Sequence, residues 1–279
     1  MSFQLPKMAR RQRAIAALLG GLILVGGVVY SIDRLGISLD DVRLAPLLIN
    51  FVLIQPAILA LAVVTLRLSG RAVGSAPTFP AATRAVGYAN FAEILPLPGG
   101  ALVRGAALIQ AGANLGRAAS IVTTTAFLSL SLIVAIAAAA LMLTGTPEAL
   151  PVMLVALVGL IALSWRISRR AGAALTLAIV AIRLLTVTAS AISVWLALRA
   201  IGAPAPVSEA LIISVSGTLG SVVTIVPAGL GISESIAAGL ATMTGIAPPA
   251  AFLALALHRT LALVASLGAA FWPKGRDTT

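Results

Sequence analysis

Five charged side chains lie inside otherwise apolar stretches: Glu93, Arg104, Arg183, Glu234 and Arg259. A charge in hydrocarbon costs a few kcal/mol or more unless it is paired or solvated, so each is a candidate substrate-binding residue. Three arginines against two glutamates leave one positive charge over, which suits an anionic group. Arginine's planar fork of donors also matches phosphate better than a point charge does. Glu93 and Glu234 then neutralise the arginines, or one of them accepts a proton. Each arginine has a structural alternative. Arg104 can anchor at the interface by snorkelling, and Arg183 and Arg259, each about 10 residues or 15 Å into a span, can form Arg–Glu pairs.

Other chemistry is sparse. The chain has no cysteine, and His258 is its single histidine. There is therefore no disulfide, thiolate nucleophile or thiolate metal site, and no cofactor is expected. No serine–base set stands at readable spacing and no GxxxxGK[ST] phosphate loop occurs, so the expectation is a protein that is not an enzyme and has no ATP site. His258 alone reads as a packed histidine.

The elements that must hold these residues are broken helices. Pro96, Pro98, Gly99 and Gly100 interrupt one apolar stretch, and Pro227, Gly229 and Gly231 interrupt another. Proline removes a backbone donor and disfavours helix before it, while glycine permits a tight reversal. Broken backbone at membrane depth survives only where protein or a wet cavity satisfies it. The arms on either side are too short to cross alone, so each break predicts a re-entrant helical hairpin.

The rest of the chain requires a membrane. Of 279 residues, 60% are hydrophobic and only 10% charged. A soluble domain carries about 25% charged residues, which excludes a soluble fold. Uncharged or nearly uncharged runs at 14–32, 44–66, 118–143, 151–165, 172–198 and 249–272 predict about six full spans. Asn50 and Gln55, inside the second, read as hydrogen-bonding glue between helices. The net charge of +11 is spread between the spans, a pattern that sets topology and meets anionic headgroups. No nucleic-acid partner is expected from it. Lys7 to Arg13, Arg67 to Arg84, Arg166 to Arg170 and Lys274 with Arg276 fall on one side, which puts both termini in the cytoplasm and the chain in the plasma (inner) membrane.

The two breaks repeat. Ile94-Leu95-Pro96 matches Ile225-Val226-Pro227, and Gly100 matches Gly231 at the same distance from its proline. Three spans separate them, so the second unit is inverted. Paired, interrupted segments of this kind point to a midplane site in inverted-repeat transporters. The expected architecture is an all-α polytopic membrane protein, one transmembrane domain over 1–279. It comprises a basic cytoplasmic start (1–13), a first hairpin with its span (79–143), a second, inverted one (207–272) and a short tail (273–279).

Asn90, Leu95-Pro96, Gly100 and Arg104, then Pro227, Gly229-Leu230-Gly231, Glu234 and Arg259, resemble the lysylphosphatidylglycerol synthase transmembrane region, a flippase-like membrane family. The resemblance runs from about residue 14 to 272, with departures at Ala101 and Ala228. It implies a lipid-handling domain acting on aminoacylated phosphatidylglycerol or polyprenol-linked sugars, with Arg104, Glu234 and Arg259 at motif positions. The sequence ends at Thr279, so no aminoacyl-transfer domain and no synthase activity are expected. The favoured expectation is translocation of an anionic or phosphate-bearing lipid, with membrane lipids as partners. Open beside it are a secondary transporter of a small soluble anion and a non-transporting partner of a lipid-biosynthesis enzyme. A homo-oligomer is also allowed.

Overall fold

The computed structural model describes residues 10–93, 99–143, 145–222 and 231–273. These residues form ten helices and no strand: α1 (Arg10–Leu35), α2 (Leu44–Ala72), α3 (Phe79–Ala92), α4 (Gly99–Gln110), α5 (Leu115–Leu143), α6 (Leu150–Ala171), α7 (Ala173–Ala200), α8 (Val207–Val222), α9 (Ile232–Ala241) and α10 (Pro248–Ala270). Helices are forced here, because in hydrocarbon a backbone must satisfy its own polar groups. Among the described residues, α2, α5, α6, α7 and α10 are long and apolar enough to cross a membrane. α1 has 26 residues, or about 39 Å at 1.5 Å per residue, long enough for the sixth expected span. The protein is an all-α polytopic membrane protein.

Two boundaries differ from those expected. The span expected at 151–165 runs through Arg166, Arg169 and Arg170 to Ala171. Arginine is a good helix former, and its stem lets the charge reach the interface. The helix stops instead at Gly172, whose φ of +88° only glycine adopts readily. The loop expected at 67–84 likewise shrinks, because α2 continues to Ala72 and α3 starts at Phe79 with Pro80 in its first turn.

The short arms are as expected. α3, α4, α8 and α9 have 14, 12, 16 and 10 residues, so each is about 15–24 Å long against a hydrocarbon core of roughly 30 Å. α3 packs on α4, and α8 on α9. Both hairpins close on glycine: Gly99 lies against the Ala92 carbonyl, and a Cβ on Gly220 would sit 2.8 Å from Ser233 Cα. Pro96, Pro98, Pro227 and Gly229 lie outside the described residues.

The inverted relation extends beyond the two breaks. α1 packs on α10 as α6 packs on α5, and α3 packs on α10 as α8 packs on α5. α2 and α7 pack on each other at the centre, each also holding its own hairpin's first arm. The units α1–α5 and α6–α10 therefore correspond in most of their contacts, and each hairpin rests on the other unit's last span. The exception among the described residues is that α6 packs on α7, while α1 makes no comparable contact with α2. Two buried clusters fill the bundle, the first crossing the division through Ile179 of α7. One gathers Val63, Val86, Leu108, Leu128 and Ile179; the other gathers Val194, Ile213, Ala237, Ala241, Ala250 and Ala254. Alanines four apart on α9 and α10 let those backbones approach closely.

Polar ends separate by face. Arg67, Arg71, Arg117, Arg166, Arg169 and Arg170 fall at one set of helix ends, where Arg170 Nη1 donates to Ser120 Oγ at 3.2 Å. At the opposite ends, the Arg43 N–H donates to the Ala200 carbonyl at 2.9 Å. There Ser38 donates to Asp41 from both its N–H and Oγ, holding that carboxyl below its usual range.

The packing of the second hairpin makes a two-sided prediction. Gly220→Ala should lower stability by about 1–3 kcal/mol, because Ser233's backbone cannot move aside. Gly239→Ala, which meets nothing within 4 Å, should raise it by up to about 1 kcal/mol through helix propensity. Thermal midpoints in detergent measure both, and equal shifts would contradict the close approach.

Candidate functional site

The intramembrane charges fall into two pairs and one remainder. Glu93, at the end of α3, meets Arg104 of α4 across the first hairpin, with Oε1 to Nη2 at 3.0 Å. This pair is half-open, at 42% and 34% side-chain exposure. In the second hairpin Glu234 is fully buried and meets Arg259 of α10, Oε1 to Nη1 at 3.0 Å, as an ion pair rather than an aligned hydrogen bond. Arg259 Nη2 also donates to Ser233 Oγ at 3.0 Å. Glu234 reaches back one turn, where its Oε2 accepts the Gly231 N–H at 2.8 Å. Gly231 itself has a φ of +77°, so the carboxylate secures the strained entry to α9.

Arg183 is the remainder. It sits near the middle of α7 and makes no ion pair or hydrogen bond among the described residues; its Nε is buried without a partner. Arg104 lies within electrostatic range of it. The surplus charge counted in the sequence thus has an address.

A cavity of about 230 Å³ opens between the two hairpins. Asn90 and Glu93 line it from the first hairpin, Ser214, Gly217 and Thr218 from the second, and His258 and Arg259 from α10. α7 contributes Val187 and Ser190, which lie four and seven residues beyond Arg183 and hence on its helix face. Of the five charged residues predicted from the sequence, Glu93 and Arg259 line the cavity. Arg104 and Glu234 hold those two from behind, and Arg183 stands one turn away. Ligand pockets for larger molecules run about 300–1,000 Å³, so this cavity suits a headgroup or small anion and not an acyl chain.

A buried hydrogen-bond hub braces one wall. Asn50 and Gln55 of α2 are buried, as is Ser193 of α7. Five residues apart, Asn50 and Gln55 would point about 140° apart on an α-helix of 3.6 residues per turn. A π-helical turn at Asn50–Ile54 brings them together, with Gln55 Nε2 donating to Asn50 Oδ1 at 3.3 Å. Widening that turn also suits Pro56, whose ring would otherwise clash with the carbonyl four residues before it. Ser193 Oγ donates to Asn50 Oδ1 at 2.8 Å and accepts from Gln55 Nε2 at 2.9 Å. Ser193 Oγ also stands 2.6 Å from His258 Nδ1, which ties this hub to a residue that walls the cavity. Asn90 Nδ2 donates to Ser266 Oγ at 2.9 Å, fixing the first hairpin to α10.

The inter-helix role of Asn50 and Gln55 matches expectation. Ser193 and the two hydroxyls of α8, Ser214 and Thr218, were not singled out by the sequence; small polar residues in apolar helices carry no signal of their own. Pro96, Pro98, Pro227 and Gly229, expected to shape the breaks, lie where the structure is not described. Gly99 and Gly100, expected within the first break, open α4 instead, and Gly231 directly precedes α9.

No family model and no curated protein matches the chain. The functional reading therefore rests on the residues themselves.

Breaking the buried pair should show its structural weight. Glu234→Gln leaves the Arg259 charge without its carboxylate and should cost about 3–5 kcal/mol, whereas Glu234→Gln with Arg259→Met should recover much of that loss. Thermal unfolding of the two variants measures the coupling. Equal loss in both would mean that the carboxylate acts through Gly231 alone.

Proposed function

We propose that the protein translocates the headgroup of an anionic, phosphate-bearing lipid between leaflets, through the cavity between its two hairpins. The observation that carries this reading is the charge balance around that cavity. Glu93–Arg104 and Glu234–Arg259 are each neutral as pairs, and Arg183 adds one positive charge. An anion arriving there completes the balance. Serine and threonine hydroxyls and His258 supply polar contacts suited to the remaining oxygens and hydroxyls of a headgroup. The exposed apolar side chains of α6, such as Val155, Val158 and Ile161, suit acyl chains that stay in lipid while the headgroup crosses. The pseudo-twofold arrangement of α1–α5 and α6–α10 supports alternating access, one unit rocking against the other.

The resemblance to the lysylphosphatidylglycerol synthase transmembrane region supports a lipid over other anions. Arg104, Glu234 and Arg259 are motif positions of that resemblance. In this reading both termini face the cytoplasm and the membrane is the inner one, following the arginine-rich helix ends. Membrane lipids are the partners, and the protein acts as a transporter rather than an enzyme. The small volume of the cavity also fits a free anion, so a soluble-anion transporter is the second reading.

The test is leaflet exchange of fluorescent lipids in vesicles holding the purified protein, with anionic and zwitterionic headgroups compared. Anionic lipid should exchange faster. Arg104→Ala strips Glu93 of its partner and leaves a carboxylate at the cavity wall. A like charge about 8 Å away costs roughly 2 kcal/mol at an effective dielectric near 20. Anionic exchange should then slow about thirtyfold, with little loss of stability because the pair is half-exposed. Uptake of soluble phosphate without lipid exchange would select the second reading. Exchange indifferent to headgroup charge and to Arg104 would refute the site.

A further inference from the structure

We infer that the arginine-rich face carries a second anion site, separate from the central cavity, for a phosphate group bearing two negative charges. A cavity of about 840 Å³ opens there between the end of α2, the first turns of α5 and the last turns of α6. Arg71, Arg117, Arg166 and Arg170 line it, with Ser120 and Thr124 adding hydroxyls. No carboxylate lines it, and no ion pair among the described residues involves these four arginines. It is distinct from the central cavity: on α5, Thr124 lines the one and Ile133 the other, a separation of nine residues or about 13 Å along the helix.

Topology alone accounts for arginines on this face but not for their convergence. Arg71 and Arg170 stand in the last turns of α2 and α6, where the macrodipole favours a cation. Arg117 stands in the first turn of α5, where the dipole opposes it. Its charge is therefore placed at a cost, beside three others of the same sign. A ligand with negative charge removes both penalties, and guanidinium forks match phosphate oxygens in pairs. A phosphomonoester carries about −1.5 to −2 at neutral pH, against −1 for a diester, so the site should prefer the monoester. Trp165 and Leu115, exposed beside the basic cluster, mark the level of lipid headgroups. Phosphatidic acid is thus the lipid form of the ligand, and a soluble phosphomonoester or pyrophosphate the free form.

The experiment is binding of phosphatidic acid and phosphatidylglycerol to the full chain in phosphatidylcholine nanodiscs, with inorganic pyrophosphate as the lipid-free arm. Phosphatidic acid should bind more tightly than phosphatidylglycerol. Arg117→Gln and Arg166→Gln should each weaken its binding about fivefold, the scale of one basic residue near an anionic surface. Arg169→Gln is the control, because Arg169 shares the end of α6 but does not line the cavity. It should change nothing, and thermal midpoints of all three should match the parent or exceed it. Pyrophosphate binding with the same pattern of losses would assign the site to soluble phosphates; its absence assigns the site to lipid. Equal losses in all three variants, or none in any, would overturn the proposal. Binding and not exchange is read, so the result is independent of translocation through the central cavity.

Discussion

A fully buried carboxylate must be met from every side, and the second half of this protein is arranged to meet Glu234. Arg259 approaches from α10, and the Gly231 N–H approaches from the break one turn before. The first contact ties the second hairpin to the last span. The second holds the backbone where the helix restarts. Because Arg259 also walls the central cavity, the group that neutralises Glu234 is the group a ligand meets. Structure and site cannot be separated here: a change that releases Arg259 from Glu234 also alters the charge facing the cavity.

The first hairpin uses the same ingredients in a different geometry. Its pair bridges the two arms of one hairpin rather than joining hairpin to span, and it remains half-open. The asymmetry fits two tasks. The closed pair fixes architecture, and the open pair presents Glu93 to the cavity with Arg104 behind it. Between them runs α7, whose Arg183 has no carboxylate partner among the described residues. A charge at that depth without a partner is costly, and its retention is intelligible if a ligand supplies the missing anion.

Much of this was legible in the sequence, and the limits are instructive. Proline and glycine in apolar surroundings announced both hairpins, because few other arrangements tolerate them. The surplus of one positive charge was a matter of counting. The pairing was not: Arg–Glu pairs were legible as an alternative without their partners, and in the structure Arg104 meets Glu93 and Glu234 meets Arg259. Which carboxylate faces which arginine depends on helix packing, about which neither residue carries local information. The hub around Ser193 was hidden for a related reason. Asn50 and Gln55 lie at a spacing that no α-helix brings together, and only the π-helical turn makes them neighbours. The repeat, visible in the sequence as two matching breaks, extends to most of the helix contacts.

The central claim is that an anionic ligand completes the charge left open at Arg183. Arg183→Leu tests it most directly, with exchange of anionic lipid and thermal midpoint read on one preparation. The account predicts a midpoint that holds or rises, because an intramembrane charge with no partner among the described residues is gone, together with anionic exchange reduced to the zwitterionic rate. Anionic exchange at the parental rate in a folded Arg183→Leu protein would contradict it.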